Sequence, residues 1–229
     1  MCGRNSLFPP AVELETRFDA SLATGVEYSP RFNIAPGSDI EVITNDHPDE
    51  IDQFHWGLLP HWAESIDDGF INARSETAAE KPAFRDAWDD RPCLVLSSGF
   101  YEWQTANGGP KQPFRIYKDD QPAFAMAGLW EETTIDGETV RTVTILTTDP
   151  NELVAPIHDR MPVVLREADE RRWLEGSEDA RAELCQPYPS DDLEAYEIST
   201  RVNNPANDDA TVIEPADRTQ SDITDFGSA

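Results

Sequence analysis

The chain has 229 residues, 38% of them hydrophobic, with six Trp, ten Phe and five Tyr. A chain of this length buries roughly 70–75% of the surface it exposes when unfolded, which excludes wholesale disorder. Forty-five acids against 18 bases give a net charge of −27, which argues against nucleic acid as a partner, and no run approaches the roughly 18 apolar residues of a membrane-spanning helix.

The bases are three lysines, Lys81, Lys111 and Lys118, and fifteen arginines. A lysine-poor, acid-coated surface holds water and ions where salt has shrunk the Debye length to a few Å. That balance predicts a halophilic, archaeal source and a cytoplasmic protein.

In chain order, residues 11–18 suit a short helix, with Leu14 and Phe18 on one face. Asn33–Gly37 is a turn cluster, followed by strand-like Glu41–Ile43 and Asp52–Leu59. Residues 74–88 suit a helix, or two broken near Pro82. Strand-like stretches follow at Pro92–Leu96, Pro113–Tyr117, Ala123–Leu129 and Arg141–Thr147. The Asn107–Pro110 loop and the Asp136-Gly137 turn join them as hairpins. Residues 168–185 form a second helical region, and Tyr196–Val202 a last strand. The pattern is one strand-rich α+β domain over residues 1–207, with an acidic, solvated tail at 208–229.

Cys2, Cys93 and Cys185 show no CxxC or Cys/His ligand spacing, and His47, His55 and His61 have no matching acids, so no metal or cofactor is expected. Cys93 lies in an apolar run and reads as core; Cys185 reads as a structural or surface thiol. Cys2 differs by position. Loss of Met1 would leave it with both a free α-amine and a thiol, a pair that closes on an aldehyde as a five-membered thiazolidine. The thiolate could instead attack an acyl carbon.

Four polar clusters interrupt apolar surroundings. Asn72, Arg74 and Glu76 follow Phe70-Ile71. Glu102 stands among Phe100, Tyr101 and Trp103, where desolvation raises a carboxyl pKa. His158, Asp159 and Arg160 precede Met161-Pro162, and His158 titrates near neutrality. Trp56 and Trp62 flank Gly57–His61 and could stack on a base. Three of them have a plainer reading: an ion pair for Glu102, a loop hydrogen bond for His158, core packing for the tryptophans.

Together with Met1–Arg4, Phe32–Pro36, Gly128–Trp130, Thr147-Thr148 and Val202–Asn204, these segments resemble the SOS response-associated peptidase (SRAP) family of abasic site processing proteins. The resemblance implies an α+β domain on a curved, barrel-like mixed or antiparallel sheet with flanking helices. It further implies that Cys2 forms a thiazolidine with the opened sugar of an abasic site in single-stranded DNA, shielding the lesion. Asn72 would hold the reacting terminus and the sugar. Glu102 would move protons, and His158 would assist acid–base steps, including reversal of the link. Arg4, Arg74 and Arg160 would grip phosphates, with Trp56 near the bound strand. A monomer is expected, with no membrane partner and self-removal of Met1 as its peptidase activity. A local arginine cleft reconciles DNA with the net charge. Two rivals stand beside this reading: an N-terminal-nucleophile Cys amidotransferase, and a non-catalytic single-strand-binding module.

Overall fold

The computed structural model describes residues 2–105 and 109–216. From the N-terminus the elements are β1 (Asn5–Leu7), α1 (Ala11–Phe18), β2 (Ser21–Leu22), β3 (Arg31–Ile34), β4 (Asp39–Thr44), β5 (Glu50–Trp56) and β6 (Asn72–Arg74). Two short helices, α2 (Ser75–Ala78) and α3 (Arg85–Asp90), lead into β7 (Pro92–Ser97), β8 (Gly99–Gln104), β9 (Gln112–Tyr117), β10 (Phe124–Ile135) and β11 (Glu138–Thr148). The chain ends through β12 (Met161–Pro162), α4 (Glu167–Glu175), α5 (Glu178–Leu184) and β13 (Glu194–Glu197), then two 3-10 turns at Thr200–Asn203 and Ala210–Ile213.

Strands β5, β4, β7, β10 and β11 pair antiparallel in that order. A parallel contact of β11 with β5, Thr142 opposite His55 and Val143 opposite Trp56, closes the ring. The result is a five-stranded mixed barrel within an α+β fold. Closure satisfies the outer ladders and packs Ile40, Val42, Val95, Val143 and Ile145 into a dry interior. The β10–β11 hairpin turns at Asp136-Gly137, whose positive φ angles of 52° and 86° suit a two-residue loop between Ile135 and Glu138.

A second sheet, ordered β13-β9-β8-β1-β3, flanks the barrel. Here the structure departs from expectation. Strand β9 pairs with β8, which carries Gly99–Gln104 and was not expected as a strand. The first four residues of β8 are all buried, so it has no polar–apolar alternation to read. The helical stretch near 168–185 is two helices broken at Gly176-Ser177. Strand β13 stops at Glu197, where Ser199 caps a 3-10 turn.

The domain also runs past residue 207. The Asp208 carboxylate accepts from the Phe32 and Asn33 amides at 2.5 and 2.9 Å and pairs with Arg31, while Val212 is buried. Asn33 donates its side-chain amide to the carbonyls of Val202, Asn204 and Asn207 at 2.8–3.2 Å. Residues 199–216 are thus a strap across β3 and β8. The remainder of the expected tail, 217–229, lies outside the described residues. Asp208→Ala is expected to lower the unfolding free energy by about 1–3 kcal/mol, read by urea titration, because it strips partners from two backbone donors and a guanidinium.

Candidate active site

The strand register brings the N-terminus to its chemistry. Asn5 pairs with Phe100 and Ser6 with Gly99, and the Tyr101 amide donates to the Arg4 carbonyl at 3.0 Å. Continuing that antiparallel register outward sets Cys2-Gly3 beside Glu102-Trp103. A buried polar seam holds the register: Asn5 Nδ2 donates to the Leu96 carbonyl, and Ser97 Oγ donates to Asn5 Oδ1 at 2.7 Å.

Cys2 is fully buried, with its thiol directed at the Arg4 carbonyl 4.0 Å away. Burial, and after it the nearby Glu102 charge, push the thiol pKa well up, so the sulfur stays protonated. Glu102, only 1% exposed, is pushed up from 4.5 to about 7, chiefly by burial, with the Asp159 charge adding and the Lys111 charge opposing. His158 Nε2 lies 4.0 Å from Glu102 Oε2. His158 Nδ1 meets both the Arg160 amide, at 3.0 Å, and the Arg160 carbonyl, at 3.3 Å, and a protonated ring would also find Asp159 Oδ1 at 3.1 Å. Desolvation holds the His158 pKa below its usual 6.5, opposed by Asp159. A carboxyl poised near neutrality beside a neutral imidazole can pass a proton in either direction at pH 7.

Glu102 and His158 face a cleft of about 540 Å³ lined also by Trp103, Pro110, Lys111, Thr200 and Asn203, with Cys2 buried behind it. Its far wall is the strap, fixed by Trp103 Nε1 donating to Asn203 Oδ1 at 2.8 Å. Sequence reasoning assigned no role to Lys111, Trp103, Thr200 or Asn203. The signal that could have found Lys111 is its rarity as one of three lysines.

Asn72 opens β6, paired in parallel with β11 at Ile145. Its Nδ2 donates to the Ile71 carbonyl at 2.8 Å, while its buried Oδ1 has no hydrogen-bond donor among the described residues. Arg74 is exposed at the end of the same strand. Arg160 links this side of the site to the His158 loop. Its fork donates to both Glu76 oxygens at 2.7 and 2.9 Å, to Asp149 Oδ1 at 2.9 Å and to the Thr147 carbonyl at 2.7 Å.

The anion-holding set expected from sequence therefore divides. Arg74 is open to a ligand. Arg160 is already ion-paired. Half-buried Arg4 gives Nη1 to Asn33 Oδ1 at 2.7 Å and to the Val202 carbonyl, with its guanidinium 5.8 Å from the Trp103 ring centre. Trp56 needs a plain correction. It is fully buried in the barrel wall and donates Nε1 to the Ile71 carbonyl at 2.9 Å, so no base can reach its ring.

Its partner in the sequence motif, Trp62, is 49% exposed, and Phe70 is 42% exposed. The loop that presents them is pinched where Gly69 meets Gly57: a Cβ on Gly69 would come 2.6 Å from the Gly57 carbonyl oxygen. Strand period decides which tryptophan is which. Trp56 ends β5 on the same inward face as Phe54, whereas Trp62 follows Pro60 outside any strand. Among the described residues no cluster of three metal-binding side chains occurs, and no helix is long and apolar enough to cross a membrane.

Comparison with known proteins agrees with this fold. The family profile described as SOS response associated peptidase (SRAP) matches residues 1–205. The abasic site processing protein YoqW of Bacillus subtilis is 41% identical over 223 residues, covering 93% of this chain and 99% of its own. The abasic site processing protein YedK of Escherichia coli is 31% identical over 231 residues, covering 94% and 100%. A crystal structure of a protein from Bacteroides thetaiotaomicron superposes with a TM-score of 0.84 at 30% identity, covering 94% of this chain and all of that one. With a family profile over residues 1–205 and a full-length relative 41% identical to it, the chain belongs to the SRAP family.

Proposed function

We propose that this protein processes abasic sites by capturing them covalently in single-stranded DNA through Cys2, once Met1 has been removed. The observation that carries the reading is the pair Glu102 and His158 on one cleft with Cys2 buried beside Glu102, the thiol held neutral and the carboxyl near pH 7.

The order of events follows from those protonation states. A protonated, buried thiol is a poor first nucleophile, whereas an α-amine with a pKa of about 7.7–8.0 is partly neutral. The amine nitrogen adds to the C1′ aldehyde of the opened sugar, giving a carbinolamine. Glu102 delivers a proton to the departing hydroxyl, water leaves and an imine remains. The thiol sulfur then adds to the imine carbon and its proton passes to the nitrogen through Glu102 or His158. One C–N and one C–S bond are made, and one water is lost. Asn72 Oδ1 offers the amine an acceptor that orients its lone pair. His158 drives the reverse path by returning a proton to the ring nitrogen or sulfur.

Arg74 supplies a planar fork for a backbone phosphate. Trp62, rather than Trp56, supplies the stacking surface, so Trp62→Ala is expected to weaken binding of an abasic oligonucleotide by about 1–3 kcal/mol in fluorescence anisotropy. Trp56→Ala is expected to act on folding instead. With −27 of net charge, stacking and the covalent bond carry affinity where salt screens phosphate contacts. The protein is taken to act as a monomer in the cytoplasm of a high-salt cell.

The test is intact-mass spectrometry before and after mixing with abasic single-stranded DNA in concentrated KCl. The expected species lacks Met1 and gains the mass of the oligonucleotide less one water. A protein that lacks Met1 yet gains nothing would return the amidotransferase and the plain binding module to consideration. Retention of Met1 would close the thiazolidine route.

A further inference from the structure

We propose that Lys111 holds the phosphate adjoining the captured abasic sugar, the anion subsite nearest the reacting carbon. This rests on the capture chemistry above and assigns a residue that the expected arginine set did not include.

Most of the cations assigned to anions are already committed elsewhere. Arg160 has both terminal nitrogens committed to two carboxylates and a carbonyl, and Arg4 has Nη1 committed to Asn33 and the Val202 carbonyl. Arg74 is exposed but stands on β6, which pairs with β11 rather than with the sheet of β8 and Glu102, and it does not line the cleft. Of the three lysines, Lys118 is buried with Nζ on the Tyr188 hydroxyl at 2.7 Å, and Lys81 lies between α2 and α3, away from the cleft. Lys111 is different. It is exposed, it lines the cleft together with Glu102 and His158, and it forms no ion pair within 4 Å among the described residues, although the chain carries 45 acids. The β8–β9 register places it just beyond the Gln104–Gln112 pair, one residue before β9 begins and two before Pro113, which faces Trp103.

Its charge is only a minor influence on Glu102 and His158, ranking below burial and below Asp159 for each. The phosphates of an abasic nucleotide sit on C3′ and C5′, a few bonds from the C1′ that Cys2 attacks. A point-charge ammonium on a flexible stem can follow that phosphate as the sugar opens and the imine closes to a ring. In a cleft whose walls otherwise offer Glu102, His158, Thr200 and Asn203, Lys111 is the permanent cation.

The experiment compares wild type, Lys111→Gln and Lys111→Arg for rate of capture. Three substrates are used: an abasic oligonucleotide, the same strand with one neutral methylphosphonate beside the lesion on either side in turn, and free 2-deoxyribose. Lys111→Gln is expected to slow capture of the natural strand about tenfold and to cut the slope of log affinity against log salt by about 0.7, the share of one phosphate contact. One methylphosphonate position should slow the wild type as much and Lys111→Gln no further. Lys111→Arg should recover most of the rate, and all three proteins should react alike with 2-deoxyribose.

Equal loss by Lys111→Gln on 2-deoxyribose would overturn the proposal, because the residue would then act on the proton chemistry rather than on phosphate. Full-rate capture of the natural strand by Lys111→Gln would overturn it too. A wild type that captures no abasic strand at all would overturn the capture reading itself, which separates the two failures.

Discussion

Glu102→Gln is expected to make the protein more stable at pH 8 while slowing capture by about 10²–10⁴-fold, the usual range for loss of a general acid–base group. Both effects come from one buried carboxyl. Folding raises its pKa from 4.5 to about 7 because water is removed from around it. A native state that holds the proton more tightly than the unfolded chain is favoured below pH 4.5 and loses that advantage as pH climbs through 7. Relative to acid solution, the native protein is therefore destabilised at pH 8 by about 3 kcal/mol, an order-of-magnitude figure from the size of that shift.

Glutamine is neutral at every pH and escapes this loss. Urea titrations of both proteins from pH 4 to 8 should diverge between pH 4.5 and 7.5 and then run parallel. Curves that track each other across that window would show that the carboxyl at 102 is not ionising as described. Capture by the native protein should in turn be fastest at about pH 7–8. Below that the α-amine is protonated, and above it Glu102 has lost the proton it must donate. The alkaline limb should be absent in Glu102→Gln.

Cys2→Ser is expected to abolish the heat-stable adduct while leaving the first step intact. The serine amine can still condense with the aldehyde, but a hydroxyl closes onto an imine to give a far more labile ring than a thiol does. The predicted product survives denaturing electrophoresis only after borohydride reduction, which converts C=N to C–N. Native protein should give the stable band without reductant. A heat-stable, unreduced band from Cys2→Ser would remove the sulfur from the mechanism, and no band under either condition would mean that the substitution has disturbed the terminus itself.

Much of the barrel could be read from the chain because β4, β5, β7, β10 and β11 are six to twelve residues long and rich in Val, Ile, Leu, Phe and Thr. The strands that build the site escaped for definite reasons. Strands β1, β3, β6 and β12 run two to four residues, too few for a period of two to show. Strand β8 is buried on both faces, so Glu102 stood out as a polar group in aromatic surroundings without revealing that it lay on a strand.

The same limits explain the site residues. Cys2, Glu102 and His158 could be named from chemistry, and the structure brings them together. The state of an arginine depends on what its fork meets, and Arg160 meets Glu76, which lies 84 residues away in sequence. Nothing in Trp56-Gly57-Leu58-Leu59-Pro60-His61-Trp62 distinguishes the inner tryptophan from the outer one until the strand is known to end at Trp56. Asp208 looks like any other acid in an acidic segment; its meaning comes from the two amides at Phe32 and Asn33.

The strap also sets a clock on biosynthesis. Arg4 and Asn33 bind carbonyls at Val202, Asn204 and Asn207, so the earliest residues made wait for some of the last before their cleft has its far wall. While the chain is still on the ribosome, a freshly unmasked aminothiol would have neither the Thr200–Asn203 side of the cleft nor the Trp103 contact that fixes it. A chain cut short ahead of Asn203 would therefore present its N-terminal segment without the cleft wall that Thr200 and Asn203 supply.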